Sequence, residues 1–234
     1  MKTLRWMPLA ALTLILTSCM PGMMGRGGGG RELKVEPVEL NAQTPSLNID
    51  PSKKLWLKVA VVVPDPMAYT IIYDLPSFYN RDLTAEYRKN GFQLERELSK
   101  VCSETFSQAF NQVVVVREMP QAGQYDAIVE LKIGKISAIG RMVNRFLGKL
   151  ACDVTTEWTM SVLDDQNREV LNKKGLSPAR SFQWGATTAH KDFNREMGPV
   201  MSGTLTDLAK EWGAILHSSE VLVAQAAKRN NQSQ

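Results

Sequence analysis

The sequence predicts a mixed α/β fold: a β-α-β unit, an antiparallel three-strand meander, and a C-terminal helix packed on the sheet. Three observations predict it. Residues 55–63 form an apolar run stopped by Pro64-Asp65-Pro66. Residues 91–110 repeat apolar side chains at helical spacing. Three later segments alternate apolar and polar residues between turn sequences.

Taken in order, Leu55, Leu57, Val59, Val61 and Val63 are apolar while Lys58 interrupts the other face. That is a central strand whose first residues lie near solvent. Residues 67–90 contain a short strand around Ala68 to Tyr73 and a turn at Asp74 to Ser77. The helix over 91–110 buries Leu94, Leu98, Val101, Cys102, Thr105, Phe106, Ala109 and Phe110, leaving Glu95, Glu97, Lys100 and Glu104 outside. Val113 to Val116 make a buried β-branched strand, so strand, helix and strand give parallel pairing by crossover.

The meander comprises Tyr125 to Ile139, Ala151 to Leu163, and Arg168 to Lys173. Its alternation loses register at Gly134, which predicts a bulge there. Residues 164–167 form the second turn. Residues 175–198, with Phe182 and Trp184, read as a loop rich in small residues. Pro199 opens the last helix, which buries Met201, Leu205, Leu208, Trp212, Ile215 and Leu216 and runs to His217, extending toward Ala227.

The amino terminus sets the organisation around this domain. Lys2 and Arg5 precede a short apolar run, then Leu16-Thr17-Ser18-Cys19. The run is too short to span a bilayer, and its flanks are those of an export signal. Small residues directly before a cysteine resemble the lipobox of bacterial lipoproteins. That resemblance implies cleavage after residue 18 and lipidation of Cys19. Residues 1–18 are then the signal, 19–52 a lipidated, Gly- and Pro-rich tether, 53–220 one α/β domain in the periplasm, and 221–234 a helix end with a frayed tail. Gly27 to Gly30 are a spacer, since no strand precedes them and no phosphate-loop lysine follows. A coil over residues 20–52 would reach on the order of 30 Å.

Without residues 1–18, 26 basic residues face 24 acidic ones, which argues against nucleic acid as a partner. No second apolar stretch has the length of a transmembrane helix. Cys102 and Cys152 remain after Cys19, an even pair in an oxidising compartment. If the first helix covers the apolar face of the meander, the two thiols come within disulfide range; the alternative is two separate buried thiols. No cysteine or histidine spacing suits zinc, so no metal and no cofactor is expected.

His190 and His217 lie outside any catalytic motif, and Asp164-Asp165 suit a turn better than an acid–base pair. The chain is expected not to be an enzyme. An envelope hydrolase would need residues gathered only by folding. Two segments are candidate partner or membrane contacts. One is the aromatic stretch with Tyr69, Tyr73, Phe78 and Tyr79, with Tyr87 following; the alternative is packing over the sheet edge. The other is the connection from Arg141 to Lys149, where Arg145 and Phe146 lie, which mixes cations with apolar side chains. Its alternative is a hairpin loop capping the core.

The order of lipobox, tether, strand, helix, strand, meander and helix is similar to that of small periplasmic α/β accessory lipoproteins, the curli-export, Pel-export and LpoB-like group. The stretch Ile128 to Leu171 also resembles outer-membrane lipoproteins with a basic, glycine-containing connection and an acidic turn. Arg141, Arg145 and Gly148 match the connection, and Asp164-Asp165 the turn. No pore-forming hairpins accompany it, so no channel activity is carried over. Met20, where aspartate would favour inner-membrane retention, implies the outer membrane. The function expected is that of an accessory or assembly factor of an export or surface-structure complex, with homo-oligomerisation as one version. The alternative is a lipid or small-ligand carrier, such as the auxiliary lipoprotein of an ABC transporter.

Overall fold

The computed structural model describes residues 38–64, 67, 69–74, 92–144, 149–185 and 191–232. Seven strands form one mixed sheet: β1 (Leu55–Val62), β2 (Thr70–Asp74), β3 (Phe110–Val116), β4 (Ala127–Asn144), β5 (Lys149–Asp164), β6 (Glu169–Leu176) and β7 (Arg180–Gly185). Among the described residues three α-helices accompany them: α1 (Leu94–Phe106), α2 (Lys191–His217) and α3 (Glu220–Gln232).

The main strand order is β3-β1-β4-β5-β6. β1 is parallel to both β3 and β4, and β4-β5-β6 is antiparallel, as a β-α-β unit followed by a meander requires. The sheet's length comes from the β4–β5 hairpin. The first part of β4 pairs with β1 and the later part with β2, while β5 pairs with β7 and then with β6. The shift from one half to the other falls at Gly134, where the β4–β5 register slips between Ile133 and Lys135.

The apolar patterning explains the layers. Leu57, Val59 and Val61 of β1 join Leu131, Ile133, Val154, Trp158 and Met160 in the main core. On the other face Ala60, Val62 and Ile128 are covered by Val116, Tyr125 and Leu163, so β1 is buried on both sides beyond its exposed start. α1 presents Leu94, Leu98, Val101, Cys102 and Phe106 to the core and packs on β1, β3 and α2. α2 covers β5 and β7. Its Trp212 meets Trp158 edge to face, with ring centroids 5.9 Å apart.

Residues 175–198 depart from the loop expectation: they contain β7 and the first turns of α2. Phe182 and Arg180 point toward α2 from a short strand whose alternation is masked by Pro178 and small neighbours. Pro199 lies inside α2 rather than in its first turn. A proline there removes one ladder bond, and this helix offsets the loss by the packing of Met197, Val200 and Met201 into the core. The last helix is also two helices, broken at Ser218-Ser219.

The second departure concerns the tether. From Val38 on, the chain is docked as a strap over the seam between α1 and α2. Asn41 N donates to Ser202 Oγ (2.9 Å), Ala42 N to Glu97 Oε1 (2.6 Å), Gln43 N to Thr206 Oγ1 (3.0 Å) and Leu47 N to Gln108 Oε1 (2.9 Å). Small residues on α2 admit it. A Cβ on Gly198 would stand 3.0 Å from Val38, and one on Gly213 would stand 2.8 Å from Leu47. The strap leaves through Asn48, whose φ of 52° asparagine tolerates. Asp50 then caps the short helical turn Pro51–Lys53 by accepting from Ser52 N.

Candidate interaction surfaces

Cys19 lies outside the described residues, as do Phe78, Tyr79, Tyr87, Arg145, Phe146 and His190.

Tyr69 is not an exposed contact. Its ring is half buried against the core, its Oη accepts from Phe92 N (2.7 Å), and it donates to Phe92 O (3.2 Å). Burial raises its phenol pKa above the ordinary value. Met67 N donates to Glu95 Oε1 (2.6 Å), so both groups latch the end of β1 to the start of α1. Tyr73 sits in β2 opposite Ala138.

The far end of the β4–β5 hairpin is open to solvent. Arg141 stands 3.5 Å from Asp153, and Ser181 Oγ donates to the same carboxylate. Ile139 and Val143 are about half exposed on this arm, and Lys149 is exposed at its turn. Arg141, Lys149, Ile139 and Val143 thus share the exposed ends of β4 and β5, where β7 pairs with β5 on its other side.

Cys102 and Cys152 are buried and free, so the disulfide alternative is corrected. The reason is topological. α1 lies over β1 and β3, whereas Cys152 is two strands away on β5, opposite Phe182 and beneath α2. Burial pushes the Cys152 thiol up to about 12, with Asp153 adding to the effect, and raises Cys102 as well. Neither has the lowered pKa of a reactive thiolate.

Asp164 behaves as turn chemistry demands. Its carboxylate accepts from the backbone N–H groups of Gln166 and Arg168 and pairs with the Arg168 guanidinium at 2.8 Å. The Arg168 backbone bond chiefly holds it below the usual carboxylate range. His217 Nε2 lies 3.0 Å from Lys53 O, closing the end of α2 on the short helical turn Pro51–Lys53. Among the described residues no group of three or more histidine, cysteine or carboxylate side chains could hold a metal ion.

A cleft of about 560 Å³ opens beside the start of β1 and β3, between Trp56, Lys58, Asn111, Gln112 and Arg229. Trp56 is 59% exposed. Asp126 fastens two of the lining residues, Lys58 and Arg229. It accepts from Lys58 N (2.6 Å), pairs with Arg229, and takes a bond from Gln225 through its carbonyl, tying β1, β4 and α3 together. Sequence reasoning missed this place, because the signal was only one tryptophan on the polar face of β1. Its lining mixes the apolar Trp56 and Leu57 with the polar Lys58, Asn111, Gln112, Arg229 and Asn230.

No protein-family model and no curated protein matches the chain. Solved structures similar to it include a neuraminyllactose-binding hemagglutinin homolog of Helicobacter pylori. That match has 11% identity and a TM-score of 0.43, covering 83% of this chain and all of the other. A minor lipoprotein of Acinetobacter baumannii is 18% identical with a TM-score of 0.31, over 70% of this chain and 96% of its own. Lipoprotein B of Nitrosomonas europaea is 14% identical with a TM-score of 0.34, over 68% and 85% respectively. At these values the likeness assigns no activity.

Proposed function

We propose that the chain is a lipid-anchored envelope protein that works without catalysis, as an accessory or assembly factor of an envelope complex at the outer membrane. The observation that carries the reading is Leu16-Thr17-Ser18-Cys19 after a basic and apolar start. No helix of the described residues is long and apolar enough to cross a membrane, so attachment in this reading rests on acyl chains at Cys19.

The docking element in this reading is the free end of the β4–β5 hairpin. Ile139 and Val143 supply apolar area, and exposed Lys149 favours an acidic partner surface. A photo-crosslinking residue placed at Ile139 or Val143 in intact cells tests it. The expected result is one defined envelope protein captured at both positions and not at Lys174 on the β6 edge. Capture of nothing, or of the same material from all three positions, contradicts the reading.

A further inference from the structure

We propose that the outer edge of β3 pairs with the same edge of a second copy of this chain. Among the described residues β3 is bonded to β1 on one side and to no strand on the other. A free edge presents unpaired N–H and C=O groups, and proteins ordinarily guard such edges with charge, proline or distortion. The other edges here are guarded: β6 carries Glu169, Lys173 and Lys174, β2 ends in Asp74, and β7 starts at Arg180, held by Asp207. β3 reads Phe-Asn-Gln-Val-Val-Val-Val, with neither charge nor proline. Asn111 and Gln112 are exposed, and the four valines are partly exposed.

The identity of the occupant follows from the same residues. An antiparallel two-fold pairing centred on Val113 sets Val113 against its own copy, Gln112 against Val114, Asn111 against Val115 and Phe110 against Val116, each pair on one face of the sheet. No ionised side chain of β3 meets another, and one surface serves both partners, as a two-fold interface requires. The same operation on β6 would crowd Lys173 and Lys174 of both copies around one axis. The cleft at the start of β3 continues this edge, and exposed Trp56 beside it is the kind of large side chain that interfaces bury. One strand edge covers much less than the roughly 800 Å² per partner of a standard stable interface. The predicted dimer is therefore weak, micromolar or looser.

Sedimentation equilibrium of the full chain in density-matched detergent, from micromolar to millimolar concentration, tests the pairing. A monomer–dimer equilibrium is expected. Amide exchange in β3 should slow as concentration rises, while that in β6 and β7 stays constant. Asn111→Lys with Gln112→Lys changes only exposed side chains, and should weaken association by about tenfold or more while leaving the thermal melt unchanged. A monomer at every concentration, with β3 exchange independent of concentration, overturns the proposal. So does a dimer that the two lysines leave intact, or one that protects β6 instead.

Discussion

Arg180 Nε donates to Asp207 Oδ2 at 2.8 Å, fastening the edge strand β7 to the middle of α2. The guanidinium lies across Gly203, where a Cβ would come within 2.5 Å of Arg180 Nη1. Both partners are more than a third or about a third exposed, so the pair is worth at most about 1 kcal/mol. Alanine in place of a mid-helix glycine gains roughly 0.5–1 kcal/mol. Gly203→Ala should therefore change stability by less than about 1 kcal/mol while breaking the ion pair. A double-mutant cycle with Asp207→Asn, read by urea unfolding, should show the Asp207 effect vanish in the Gly203→Ala background.

Glu97 holds the strap from beneath. Its Oε1 accepts the Ala42 N–H at 2.6 Å, and both residues are buried. Glu97→Ala strands that donor, at a cost of about 1–3 kcal/mol. Urea unfolding should record the loss, and hydrogen exchange should speed at Ala42 and Gln43 before it changes in β1.

Gly175 is needed for a different reason. A Cβ there would lie 2.4 Å from a ring carbon of Trp158, which is wedged against Trp212 and cannot swing aside. Gly175→Ala should destabilise by about 1–3 kcal/mol through overpacking. The thermal midpoint should drop, and the near-ultraviolet tryptophan signal should change with it.

Much of this architecture was legible in the sequence because local pattern and burial agree. Leu57, Val59 and Val61 alternate as a strand and are buried as one, and the break at Gly134 coincides with the register slip. What escaped depends on partners far along the chain. The strap over 38–50 has a linker's composition. Its backbone groups are satisfied by Glu97, Ser202, Thr206 and Gln108, which no local pattern connects to it. β7 and the start of α2 escaped because Pro178 and Pro199 are strong punctuation, outweighed here by the burial of Phe182 and Met197. The cysteine pairing turned on which helix covers β5, a matter of strand order. Of the candidate site, the hairpin arm was readable from mixed charge and apolarity; the Trp56 cleft was not.

The thiols give the pH dependence at the alkaline end. Cys102 and Cys152 are raised in the folded protein, so between the ordinary thiol value of 9.0 and about 12 the folded state holds protons that the unfolded state has lost. Their contribution is full below about pH 9 and declines as pH rises toward 12. Denaturation midpoints should fall over that window, and less steeply in a Cys102→Ala, Cys152→Ala protein. At neutral pH iodoacetamide should leave both thiols unmodified until denaturant is added.

Acylation at residue 19 is the claim on which location and role depend. The intact mass of the protein extracted from envelopes reads it directly. A chain beginning at Cys19 and carrying acyl chains is expected, with Cys19→Ser released from the membrane fraction. A mature protein without added lipid mass, or a Cys19→Ser variant that still partitions with membranes, would contradict it.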